Sequence, residues 1–147
     1  MTSTANDNDI PMKDRFLGSL LGLAIGDALG MPVEGWTAER IRAVYGRVEG
    51  YLPRIDDEGR VIVPAGEFTD DTELMLCHVE SLVSAGGMVD PEATGRRFLR
   101  VARGEGGRFL GRTTRLALER AEETDDFQAG IAGDWPAGSG VAMRIAP

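Results

Sequence analysis

Phe16, Leu17, Leu20, Leu21, Ala24, Ile25 and Ala28 recur at helical spacing in MKDRFLGSLLGLAIGDALG and predict a first helix over residues 12–30. Gly18, Gly22, Gly26 and Gly30 fall every fourth residue and line up as one smooth ridge. An interior glycine costs a helix up to about 1 kcal/mol relative to alanine, so four in register predict close approach of another helix or of a ligand. Gly30 followed by Met31-Pro32 ends this element.

The next stretch is less regular. TAERIRAVYG predicts a short helix capped by Thr37 and stopped by Gly46. Proline and glycine punctuate EGYLPRIDDEGRVIVPAGE, which reads as loop with at most a brief hairpin. A second strong helix starts at Thr69 or Asp70 and runs to Gly86-Gly87, with Leu74, Cys77, His78, Ser81 and Leu82 in its periodic pattern. Asp90 and Pro91 read as N-cap and N1 of a third helix reaching about Val101. GEGGRFLG reads as a flexible loop, and RTTRLALERAEE begins a fourth helix with Leu116 and Ala117 inward. DDFQAGIAGDW suggests a last short helix before the glycine-rich PAGSGVAMRIAP. The predicted architecture is all-α, an orthogonal helical bundle over residues 12–147 behind a disordered tail at 1–11.

Composition narrows the classes. With 147 residues, 42% of them hydrophobic, the chain can build one real core. Sixteen basic against 24 acidic residues give a net charge of −8, which argues against a nucleic-acid partner, since phosphate binding needs clustered positive charge. Cys77 is the only cysteine, so no disulfide framework or CxxC motif exists and a cytoplasmic location is expected. The N-terminus lacks the basic region of a signal peptide. The apolar run 16–25 is short and glycine-rich, so no membrane association is expected.

Candidate chemistry sits in two stretches. GEFTDDTELML sets Thr69, Asp70, Asp71 and Thr72 side by side ahead of an apolar helix. One explanation is local: a cap from Thr69 or Asp70 (with Glu73 closing a capping box if Asp70 is the cap), and acids suited to a helix N-terminus. The other is a hard-cation site, since clustered carboxylates and hydroxyls are the oxygen donors that Mg²⁺ or Ca²⁺ takes. In GDALGMPVEG, Asp27 stands in the last turn of the first helix, where the dipole disfavours a carboxylate, and Glu34 follows just past its end. If the glycine ridge lets the first helix approach the second helix's start, Asp27 and Glu34 face Thr69, Asp70 and Asp71. Anions crowded in this way need protonation or a metal to compensate them.

At these motifs, together with the terminal GSGVAMR, the sequence resembles the ADP-ribosylglycohydrolase family. GSLLGLAIGDALGMPVEG is similar to the family's first helix and acidic loop, FTDDTE to its metal-binding Thr-Asp-Asp, GRTTRLAL to its pre-loop helix, and GSGVAMRIAP to its phosphate-holding glycine loop. The resemblance covers residues 12–147. It implies an all-α fold around two Mg²⁺ ions, with Mn²⁺ as a substitute, and hydrolysis of the bond between ADP-ribose and a protein side chain such as arginine or serine. By that likeness Thr69, Asp70 and Asp71 correspond to metal ligands, Glu34 to the catalytic carboxylate beside them, and Gly138, Ser139 and Gly140 to the phosphate loop. Asp27 matches a characteristic position to which no role is carried over. Expected partners are an ADP-ribosylated protein or ADP-ribose.

The family continues past this point to a second acidic motif of Asp-x-Asp-Thr type that this sequence lacks. The chain is therefore expected to be a truncated product, a half that pairs with a second chain supplying the rest, or a decayed copy, with weak or absent turnover alone. A non-catalytic helical module that binds ADP-ribose or a partner is the alternative reading, and another metal-dependent phosphohydrolase the third. His78 and Cys77 are expected in the core rather than as ligands. Arg96, Arg97, Arg100, Arg103, Arg108, Arg112 and Arg115 are expected on solvated faces paired with acids. Trp135 and Phe127 are read as core filling ahead of adenine stacking.

Overall fold

The structure, a computed structural model, describes residues 10–128 and 138–145. It is all-α apart from one hairpin: α1 (Met12–Gly30), α2 (Ala38–Val44), β1 (Arg54–Ile55), β2 (Val61–Val63), α3 (Asp70–Ser84), α4 (Pro91–Arg103) and α5 (Arg112–Thr124). Among the described residues three short 3₁₀ turns, Met31–Val33, Glu105–Arg108 and Ser139–Arg144, connect or follow them. Most of the expected tail, residues 1–9, lies outside the described residues, as do Trp135 and most of the short helix expected within 125–135, whose described part, 125–128, is turn rather than helix.

Local capping chemistry sets the helix starts. Thr37 Oγ1 accepts from Arg40 N at 3.3 Å, Thr69 Oγ1 from Asp71 N at 3.3 Å, and Asp90 Oδ1 from Ala93 N at 2.9 Å. Thr69 is thus the cap of α3, so Asp70 is its first helical residue and no capping box with Glu73 forms. Pro91 opens α4 at a position where its missing N–H costs nothing.

The core lies where α3, α4 and α5 meet. Leu74, Cys77, Phe98, Leu110 and Leu118 form its buried cluster, with Leu99, Val101, Ala102 and Met143 packed around it. Inside it, Thr94 donates to Ser81 Oγ at 2.7 Å, which satisfies both hydroxyls away from water. On α5 the buried positions are Leu118 and Ala121, whereas Leu116 and Ala117 are half-buried. His78 stacks on Phe98 at 6.1 Å between ring centroids. Burial holds its pKa down, with help from Arg144; the residue is half-buried, and its Nδ1 has no hydrogen-bond partner among the described residues. Burial also pushes the Cys77 thiol up. The Phe127 ring occupies the space over Gly95, which leaves no room there for a Cβ.

Two expectations about glycine are overturned. The 104–108 stretch is not a flexible loop: Gly106 and Gly107 are buried in a 3₁₀ turn, and a Cβ at Gly107 would run into the Ala102 carbonyl. Conversely, nothing lies within 4 Å of where a Cβ would sit at Gly18, Gly22, Gly26 or Gly30. The ridge therefore does not bring α1 onto α3; another face of α1, carrying Asp27 and buried Ala28, does so. The helical segment is also longer than the run 16–25: within the 22 residues Met12–Val33 an 18-residue window has a mean hydropathy of 1.6, enough in length and composition to cross a bilayer, and 17% of that window is buried.

Candidate functional site

The unfavourable position of Asp27 at the end of α1 has a direct explanation. Its carboxylate accepts four hydrogen bonds from the start of α3: Thr69 N at 2.8 Å, Thr69 Oγ1 at 2.9 Å, Thr72 N at 3.2 Å and Thr72 Oγ1 at 2.6 Å. One side chain caps a neighbouring helix, meeting amides that have no partner within it. Thr69 and Thr72 are buried by this contact. Because Asp27 and Thr69 take the capping work, the carboxylates of buried Asp70 and half-buried Asp71 are left over from it.

Asp70 and Asp71 line a cavity of about 470 Å³ together with Glu34, the α5 start at Gly111–Thr114, and Gly138, Ser139 and Gly140. A second cavity of about 310 Å³, on the α1 side, is lined by Gly26, Asp27, Gly30, Met31, Glu34, Thr69 and Asp71. Six of the seven sequence-predicted site residues thus border one hollow, and Thr69 borders the adjoining one. Gly138 and Gly140 lie over α5: their Cβ positions would fall 3.4 Å from Thr113 Oγ1 and 3.0 Å from Thr114 Oγ1. The loop can sit this low because it has no side chains there.

Electrostatics at the site are strained toward negative charge. Burial, then Asp27, Asp70 and Glu34, push the Asp71 carboxyl up to about 6. Asp70 is likewise raised, chiefly by burial, with Asp27 and Glu34 adding to the effect and Arg144 opposing it. A cation would relieve both. The donors on offer, two carboxylates and the Thr69 hydroxyl, are hard oxygens of the kind Mg²⁺ takes. Among the described residues no three His, Cys, Asp or Glu side chains gather closely enough to hold a metal by themselves. The donor chemistry fits the ion, and the remainder of an octahedral shell would come from water or another polypeptide.

Two basic residues at the site escaped the sequence reading. Arg54, on β1, donates to Met31 O at 2.8 Å and Glu34 O at 3.2 Å, and its guanidinium lies 3.7 Å from the Glu34 carboxylate. The hairpin places this clamp on the Glu34 turn, and no local motif signals it. Arg144 lines the main cavity, stacks over Phe98 at 5.0 Å and has its Nη1 buried without a hydrogen-bond partner among the described residues. Burial lowers its pKa, and Asp70 offsets part of that. Arg96, Arg103 and Arg108 are surface pairs as expected, with Glu92 at 2.8 Å, Glu122 and Glu67, whereas Arg97 is largely buried and reaches Glu80 at 3.6 Å and Ser84 Oγ at 2.9 Å. Arg112 instead borders the main cavity, and Arg115 holds the buried turn through Gly107 O at 2.6 Å.

Comparisons with known proteins bear on this geometry. The sequence profile of ADP-ribosylglycohydrolase matches residues 8–147. The chain is 38% identical over 137 residues to an uncharacterized protein of Archaeoglobus fulgidus, covering 92% of this chain and 42% of that protein. It is 34% identical over 137 residues to the ADP-ribosyl-[dinitrogen reductase] glycohydrolase of Rhodospirillum rubrum, covering 91% of this chain and 43% of that protein. It is 33% identical over 139 residues to an ADP-ribosylarginine hydrolase of Serratia proteamaculans, covering 91% of this chain and 36% of that protein. The chain thus spans about two-fifths of the length of these relatives.

Proposed function

The chain belongs to the ADP-ribosylglycohydrolase family, and from that membership we propose that it takes part in removing ADP-ribose from modified protein side chains. The observation that carries the reading is the single hollow that Glu34, Asp70 and Asp71 share with Gly138, Ser139 and Gly140. Acids at one end suit a ribosyl centre that becomes cationic as its bond breaks; bare amides at the other suit a diphosphate.

In this reading the net reaction adds water across the bond between the ribose anomeric carbon and the side-chain nitrogen or oxygen. Glu34 accepts the proton of the attacking water, and its turn is kept in register by Arg54. Thr69, Asp70 and Asp71 would hold Mg²⁺, with Asp27 fixing the turn that presents them. Mg²⁺, when bound, supplies positive charge that orients the ribose diol and acidifies water. The carboxylates also stabilise the oxocarbenium-like charge at the anomeric carbon. The names of the relatives support arginine-linked ADP-ribose as the substrate class.

The test is incubation of the chain with an ADP-ribosylated arginine peptide, with Mg²⁺ or with chelator. Release of ADP-ribose that needs metal and is lost in Glu34→Gln supports hydrolysis. Binding of ADP-ribose with no release supports a second reading, a binding module. The absence of a closed metal shell among the described residues favours that second reading.

A further inference from the structure

We infer that Arg112 is a specificity-determining residue of the main hollow and that its guanidinium recognises the diphosphate of ADP-ribose. The inference rests on reading the hollow as an ADP-ribose site and not on turnover. Gly138 and Gly140 offer a ligand only uncharged backbone donors, while the chain as a whole carries a net charge of −8. A dianion entering that field needs a positive charge where its phosphates come to rest. Among the described residues two arginines border the hollow, Arg112 and Arg144. Arg144 is committed elsewhere, half-buried over the Phe98 ring and acting on Asp70. Arg112 is exposed at the first position of α5, and its guanidinium makes no ion pair or hydrogen bond among the described residues.

That isolation is informative. Arg96, Arg97, Arg103 and Arg108 each reach an acid, and the hollow that Arg112 borders itself contains Glu34, Asp70 and Asp71. Position explains why none of these acids pairs with it. Arg112 precedes Thr113 and Thr114, the residues over which Gly138 and Gly140 lie, so it belongs to the loop end of the hollow. The acids belong to the other end: Arg112 is not among the charges that act on Asp70 or Asp71, whereas Arg144 acts on Asp70. A guanidinium presents a planar fork of donors that matches two phosphate oxygens at once, and bonds to charged acceptors are about twice as strong as neutral ones. Arg112 thus gives the loop end a charge that bare amides lack. With it comes a preference for a ribosyl group joined to a diphosphate over one that carries no phosphate.

The experiment titrates the 147-residue chain, in chelator, with ADP-ribose, ADP and adenosine by calorimetry at low and high NaCl. Arg112→Ala is expected to weaken ADP-ribose and ADP about tenfold and to make their binding less sensitive to salt, with no difference for adenosine. Arg112→Lys keeps the salt sensitivity but recovers only part of the affinity, since a point charge replaces the fork. Arg100→Ala, exposed on α4 and outside the hollow, changes nothing. Circular dichroism and melting stay intact in the Arg112 variants, so lost binding is not lost fold. Equal ADP-ribose affinity in wild type and Arg112→Ala, an equal loss in Arg100→Ala, or no binding of either nucleotide by the wild type overturns the inference. The hydrolase reading fails separately. Arg112-dependent binding with no release of ADP-ribose from the modified arginine peptide in Mg²⁺ ends that reading and supports this inference, while release at an unchanged KM in Arg112→Ala does the opposite.

Discussion

Of the 19 residues of α1 only Ala28 is buried, whereas α3, with 15, buries Asp70, Thr72, Leu74, Met75, Cys77 and Ser81. Leu74 and Met75 have essentially no exposed surface. α3 is held as core helices usually are, by apolar side chains packed on two neighbours. α1 is held to it mainly by one carboxylate, through the four bonds that Asp27 accepts. The difference teaches that the acidic site and the α1 anchor are the same piece of chemistry. The cap that joins the two helices also aims the Asp70–Asp71 turn, so one cannot be disturbed without the other.

That comparison can be broken at Asp27 with the largest effect. Asp27→Ala leaves buried donors at Thr69 and Thr72 without an acceptor, and about 3 kcal/mol of stability is expected to go, read by urea unfolding. Divalent-cation binding should fall with it. Gly107→Ala comes next, because its methyl meets backbone at Ala102; about 2 kcal/mol is lost, measured by thermal melting.

The acids themselves give a pH signature. Their folded pKa values are raised, so the folded state binds protons more tightly than the unfolded chain. Asp71 therefore contributes stability below about pH 4 that is lost as pH rises toward about 6, its folded value. In the metal-free chain Asp71→Asn should flatten this fall and raise stability slightly at pH 7, while abolishing the gain that Mg²⁺ gives the wild type. Melting curves from pH 4 to 7, with Mg²⁺ and with chelator, check the sign. The smallest effect is expected on the outer face of α1. Gly22→Ala meets nothing and should stabilise the isolated chain by about 0.5–1 kcal/mol, opposite in sign to Gly107→Ala.

Those two glycine substitutions also mark what the sequence could and could not disclose. Thr37, Thr69 and Asp90 were legible as caps because a capping bond reaches only two or three residues along the chain. The span of α1 followed from periodicity for the same reason. Glycine spacing, by contrast, says that a helix has a smooth side but not which way it turns, so the ridge was assigned to the wrong contact. The crowding at Gly106 and Gly107 comes from Glu73 and Ala102, one of them far along the chain. At the site, Asp27 was conspicuous as an acid at the wrong end of a helix, though its partners lie 42 and 45 residues away. Arg54 gives no signal, since nothing local distinguishes it from the arginines that pair on the surface, and Arg144, though it ends the GSGVAMR motif, has partners that spacing does not disclose.

The most direct measurement is a titration of the metal-free chain with Mn²⁺, followed by the relaxation of water protons and competed with Mg²⁺. Saturable binding that Mg²⁺ displaces, and that Asp70→Asn with Asp71→Asn abolishes while the helical circular dichroism stays intact, is the predicted result. Absence of saturable binding, or binding of equal strength in the doubly substituted chain, would contradict the assignment of this acidic turn as a cation site.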